Sequence, residues 1–195
     1  MNFANYKTTL TIPLIGLLWV GASWGLSKIW GYGFLQGIGP TAIVGGLLWA
    51  YDKWAWRWPV FSLLNKVPDI GGVYTGKVNF RFGAQAGEKG CTMRIKQTCS
   101  HIKVECEFSK VGESNTKSTS KEALITSDAI GDYELIFLYH NPGSHLSGDP
   151  LTAHDGTNIL KISKNEGSIQ LSGHYYTNRE PQTKGTIDVV RTTKL

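Results

Sequence analysis

Three short runs in the second half of the chain concentrate side chains able to hold a flat, charged small molecule. They are Tyr139-His140-Asn141-Pro142, His154-Asp155-Gly156 and Tyr175-Tyr176-Thr177-Asn178-Arg179. Aromatic faces stack on planar rings, amides and an imidazole hydrogen-bond ring edges, and a guanidinium forks onto a phosphate. On this ground Tyr139, Asn141, His154, Tyr175, Asn178 and Arg179 are the candidate ligand-binding residues. The same residue types also serve as ordinary strand and turn residues, so their placement in the fold has to decide.

Other chemistries find little support. The five histidines, His101, His140, His145, His154 and His174, form no H-E-x-x-H, and His140 and His145 stand five apart in a Pro/Gly-rich stretch. Cys91, Cys99 and Cys106 are odd in number and form no C-x-x-C, so neither a zinc site nor a disulfide framework is expected, and Cys106 reads as a core residue. Asp149, His154 and Asp155 could in principle activate a water. No nucleophile elbow, P-loop or paired-carboxylate motif accompanies them, so no catalysis, metal or cofactor is expected.

The elements that must position these residues are strands. After a linker over 59–70, bounded by Pro59 and Pro68, apolar residues recur at alternate positions. The pattern predicts strands at 72–82, 91–97, 101–109, 116–127, 132–140, 157–164, 168–177 and 184–193. Ile102, Val104, Cys106 and Phe108 share one face, as do Tyr133, Leu135, Phe137 and Tyr139. Short connections imply sequential antiparallel pairing, and closing eight such strands removes exposed edges. The expected fold of 71–195 is therefore an eight-stranded up-and-down antiparallel β-barrel, whose interior is filled by side chains or holds one small ligand. Gly72-Val73-Tyr74 with Arg191 resembles the G-x-W and arginine pairing of lipocalin-like barrels, which implies Tyr74 and Arg191 stacked by cation–π contact as a plug.

Residues 1–58 belong to a different solvent. All seven Trp lie there, with only four basic residues and one acidic one. Thr8 to Ser27 is uncharged and long enough to cross a hydrocarbon core, and a second apolar stretch runs from Pro40 to about Trp58. Two transmembrane helices are expected, with no A-x-A-like cleavage site between them. Lys7 precedes the first, and Lys53, Arg57 and Lys66 follow the second, against Lys28 alone in the turn. The positive-inside bias puts both termini in the cytoplasm. Trp49, Trp54, Trp56 and Trp58, with Tyr51, Lys53 and Arg57, read as an interfacial collar. Residues 59–195 carry sixteen basic against fourteen acidic residues, so the net charge of +5 reflects topology and anionic lipid rather than a nucleic-acid polymer.

This order of elements carries Gly-x-Tyr-x-Gly at 72–76, Tyr139-x-Asn141, His-x-Gly-x-x-x-Leu at 154–160, and Tyr175-x-x-x-Arg179 with Gly185 beyond. It resembles the membrane effectors of cyclic-oligonucleotide-based antiphage signalling systems (CBASS), the CD-NTase-associated effectors with two spans and a C-terminal barrel. The resemblance implies a multi-pass protein of the bacterial inner membrane whose cytoplasmic barrel binds a cyclic dinucleotide made by a partner nucleotidyltransferase. It further implies homo-oligomerisation, membrane disruption and cell death. Small-xxx-small spacing at Gly21 and Gly25 offers a face for helix association. A tethered barrel binding a lipid or small metabolite is the alternative, and a tethered hydrolase using His154 and Asp155 is a further rival.

Overall fold

Strict alternation along a strand places every second side chain on the same face, and a run of such strands can close only if those faces share one interior. The computed structural model of the protein describes residues 5–30, 35–109, 115–128, 130–143, 152–165 and 167–194. It divides into two units, residues 1–68 with 98–100, and residues 69–97 with 101–195.

The second unit is a closed barrel of eight antiparallel strands in sequential order: β1 (Gly72–Phe82), β2 (Gln85–Gln97), β3 (Ile102–Ser109), β4 (Thr116–Ser127), β5 (Tyr133–Asn141), β6 (His154–Asn165), β7 (Ser168–Thr177) and β8 (Thr183–Thr193). Closure comes from β1 pairing with β8, from Val73 opposite Thr193 to Phe82 opposite Thr183. Two strands are longer than their sequence pattern predicts. β2 begins at Gln85 rather than 91, because Gly83, at φ 58°, turns the chain tightly enough to set Gln85 opposite Phe82. β6 begins at His154 rather than 157 and pairs back to Asn141. Where β4 leaves the ladder at its bulge between Ser120 and Glu122, the Ser120 hydroxyl accepts the Val104 N–H at 2.9 Å in place of a carbonyl.

The two halves of the interior differ. At the end where β1 begins and β8 finishes, Tyr74, Met93, Ile95, Val104, Leu135, Leu160, Leu171 and Val189 are fully buried and pack the barrel solid. Each such apolar side chain contributes about 1.5–3 kcal/mol relative to exposure. Tyr74 and Arg191 stand opposite one another here, but the expected stacking is not formed. The Tyr74 hydroxyl donates to the Ile70 carbonyl at 2.7 Å, the Arg191 guanidinium donates to the Asp69 carbonyl at 3.5 Å, and among the described residues no cation–ring contact joins the pair. The reason lies at Gly72, where a Cβ would fall 2.8 Å from Arg191 Cδ, so the arginine stem crosses the glycine and carries its head to the Asp69 carbonyl. The fold is an eight-stranded up-and-down antiparallel barrel, closed at this end without the stacked pair that the lipocalin resemblance implies.

The first unit holds two helices, α1 (Thr8–Trp30) and α2 (Leu35–Lys53), followed by two short 3-10 turns, Ala55–Arg57 and Phe61–Leu64, in and before the expected linker. Among the described residues one segment, Thr8–Ile29, with mean hydropathy 1.5, is long and apolar enough to cross a membrane. The expectation of two spans is corrected to one on this criterion. In α2, glycines, Pro40, Thr41, Asp52 and Lys53 dilute a helix of 19 residues, so length and composition alone do not support a multi-pass arrangement. The helices touch through Trp19 Nε1, which donates to Thr41 Oγ1 at 3.4 Å, and through Leu26, seated against Gly39.

The collar also needs amending. Trp49, Trp54 and Trp58 are exposed, whereas Trp56 is 2% exposed and clusters with Tyr6 and Cys99. Buried Asp52 accepts the Ser100 N–H at 2.8 Å and the Tyr6 hydroxyl at 3.2 Å, which explains an acidic residue at the end of an otherwise apolar segment.

Candidate ligand-binding site

The barrel end opposite the Tyr74 plug is open, with a cavity of about 630 Å³. Its wall is the C-terminal part of the odd-numbered strands and the N-terminal part of the even-numbered ones. Three aromatic residues explain how a barrel this narrow keeps a space. Phe80, Tyr139 and Tyr175 each stand directly opposite a glycine on the next strand, Gly87, Gly156 and Gly185. A Cβ on those glycines would fall 2.8 Å from Phe80 Cζ, 2.7 Å from Tyr139 Cε1 and 2.9 Å from Tyr175 Cε1. The rings therefore lie down across the neighbouring strand and present surface to the cavity instead of filling it.

Among the described residues, two cations, Lys89 and Arg179, and no carboxylate line this space. The Arg179 guanidinium sits 4.7 Å from the centre of the Phe82 ring, and the Lys89 ammonium 5.8 Å from that of Phe80, both within cation–π range. A negative ligand entering the mouth thus meets attractive charge in a partly desolvated setting. The neighbouring phenols remain neutral donors. Burial raises Tyr175 to about 12 and pushes Tyr139 higher still, Arg179 only partly opposing the latter. Burial lowers the His154 pKa, and its Nδ1 lies 2.9 Å from the Thr152 carbonyl. In the neutral ring Nδ1 donates that bond, which leaves Nε2 as an acceptor.

Five of the six candidate residues, Tyr139, Asn141, His154, Tyr175 and Arg179, come together in this lining. They differ in what they are free to do. The Asn141 amide is committed, its Nδ2 donating to Ser118 Oγ at 3.1 Å and its Oδ1 accepting the Gly143 N–H at 2.8 Å, so it shapes the rim. Asn178 does not line the cavity. It clasps Asp155, donating its N–H to the Asp155 carbonyl and accepting the Asp155 N–H at Oδ1, each at 3.0 Å.

Residues 65–191 match the family model for the Cap15 cyclic dinucleotide receptor domain. The chain belongs to that family. It is also 26% identical over 158 residues to CD-NTase-associated protein 15 of Staphylococcus schleiferi, covering 78% of each chain. Membership of the Cap15 family, a cyclic dinucleotide receptor domain and not an enzyme family, places the chain among CBASS effectors. The hydrolase rival fails on geometry as well. Asp155 lies on the outward phase of β6, where Lys121 and His140, each 2.8 Å away, hold its carboxyl below the usual range. Inward-facing His154 cannot use it, and Asp149 lies outside the described residues.

Sequence reasoning missed several cavity residues of this Cap15 member: Phe80, Phe82 and Lys89 from the first hairpin, and Asn158 and Thr183 deeper in the chain. Asn158 could have been found from phase alone, because it precedes the buried Leu160 by two in a predicted strand. Lys89 could not, because Gln85 to Gly90 reads as a turn.

Proposed function

We propose that the open barrel end binds a cyclic dinucleotide, and that binding drives homo-oligomerisation and disruption of the bacterial inner membrane during antiphage defence. The observation that carries this reading is a cavity walled by flattened aromatic rings, with Lys89 and Arg179 present and no carboxylate among the described lining residues. Rings suit bases and the cations suit the paired phosphates. The family match and the name of the Staphylococcus schleiferi relative support it. In this reading α1 spans the bilayer and the barrel lies in the cytoplasm. Lys28, Lys53, Arg57 and Lys66 at the end of α1 and after it, against Lys7 before it, support that orientation. Ligand promotes assembly only by favouring the assembled state over the monomer, since equal affinity for both shifts nothing.

The test is calorimetric titration of the full chain in detergent with cyclic di-AMP, cyclic di-GMP and cyclic di-UMP, and with palmitate. At least one cyclic dinucleotide should bind with one-to-one stoichiometry per barrel. Arg179→Ala should weaken it by about 1.5–3 kcal/mol, the range for a charge-assisted hydrogen bond. Binding of palmitate alone would replace this reading with a tethered lipid-binding barrel.

A further inference from the structure

The inward phase of β6 runs His154, Gly156, Asn158, Leu160, which places one amide inside the barrel. Asn158 stands directly between Phe137 on β5 and Tyr175 on β7 in the sheet. It is 3% exposed, yet its Oδ1 has no hydrogen-bond partner among the described residues. A buried acceptor left without a donor carries the desolvation penalty of the group in full, whereas an apolar side chain of similar shape at the same place would carry none. The amide therefore makes sense in the presence of a donor that the described residues do not supply.

Asn158 lines the ligand cavity, so that donor has a route in. Phosphate oxygens are excluded as partners, because they only accept. A nucleobase fits, since its edge sets an N–H beside an acceptor, the complement of the oxygen and NH₂ of an amide. The cationic side chain of Arg179, by contrast, lies beyond the end of β7 at the open end of the barrel. We infer that Asn158 reads the hydrogen-bonding edge of one base, which enters the barrel edge first while the phosphates stay at the rim. This rests on the cyclic dinucleotide reading and adds to it the residue that sets base preference.

The full chain in detergent is titrated with cyclic di-AMP, cyclic di-GMP and cyclic di-UMP, as parent, Asn158→Leu and Arg179→Ala, each checked by thermal melting. The parent should rank the three ligands. Asn158→Leu should weaken the preferred one by about tenfold or more, the scale of a lost bidentate pair, and bring the three close together. Arg179→Ala should weaken all three by a common factor and keep the ranking, as loss of a phosphate contact does. An Asn158→Leu protein that keeps the parental affinity or ranking overturns the inference and leaves the dinucleotide reading standing. Failure of the parent to bind any of the three removes the dinucleotide reading and this inference with it. Should Asn158→Leu not fold, the preferred ligand with its base N–H groups methylated is titrated into the parent. Loss of about tenfold or more is expected, and undiminished affinity overturns the inference.

Discussion

Burial of the His154 ring beside Tyr139 pulls its pKa below the ordinary imidazole value of 6.5, and the bond to the Thr152 carbonyl restores only part of the shift. In the unfolded chain the same ring titrates near 6.5, so between its folded value and 6.5 the unfolded state holds more protons. Stability then rises with pH through that window and is level above it. The expected outcome is that the melting temperature of the parent falls relative to that of His154→Gln as pH drops below 6.5, with the two curves parallel above 7. Curves that stay parallel throughout would show that the ring is not held neutral by the barrel. Individual residues were partly legible through the same phase logic. Tyr175, Thr177 and Arg179 share the inward phase of β7 and its extension, and Tyr176 and Asn178 the outward one, so Asn178 could have been set aside on parity. What sequence could not reveal is that Asn141 spends both ends of its amide on Ser118 and Gly143, since those partners lie on another strand and in a turn.

At the level of the strands, the barrel order and most boundaries were readable because β3 and β5 alternate cleanly and turn residues separate successive strands. The starts of β2 and β6 were not, for a shared physical reason. Gly87 and Gly156 look like turn residues, yet each is a seat for an aromatic ring from the neighbouring strand. Glycine costs strand stability by itself, and the ring laid over it recovers packing. Gly156→Ala should therefore force the Tyr139 ring off the wall and destabilise the barrel by about 1–3 kcal/mol in chemical denaturation, the usual range for overpacking. Adding Tyr139→Ala removes the clashing ring, so the double variant should be less destabilised than the sum of the two single changes. Additive effects would mean that ring and glycine are not coupled. The same single change should also weaken ligand binding, because the displaced ring moves into the cavity.

For the molecule as a whole, the division of solvents was plain in the distribution of Trp and charge, while the extent of membrane-spanning structure was not. A low charge count made α2 look like α1, but spanning depends on sustained apolarity, which α2 lacks. Helix contact within one chain uses Leu26 against Gly39. Gly21 and Gly25, by contrast, have nothing within 4 Å of the position a Cβ would take, so their small-xxx-small face is not used by the chain's own α2. In lipid, where apolar surface gives no drive to associate, such a face lets helices approach closely through backbone packing. If ligand-driven toxicity depends on α1 of one copy meeting α1 of another, Gly21→Leu and Gly25→Leu should reduce dye leakage and growth arrest in cells supplied with the cyclic dinucleotide. Affinity of the detergent-solubilised protein for the same ligand should stay at the parental value, because both positions lie on α1 and outside the cavity lining. Equal killing by both variants at equal expression would exclude this face as the assembly surface. Killing that survives deletion of residues 1–58 would exclude the membrane route itself, and the barrel would then have to act by capturing its ligand.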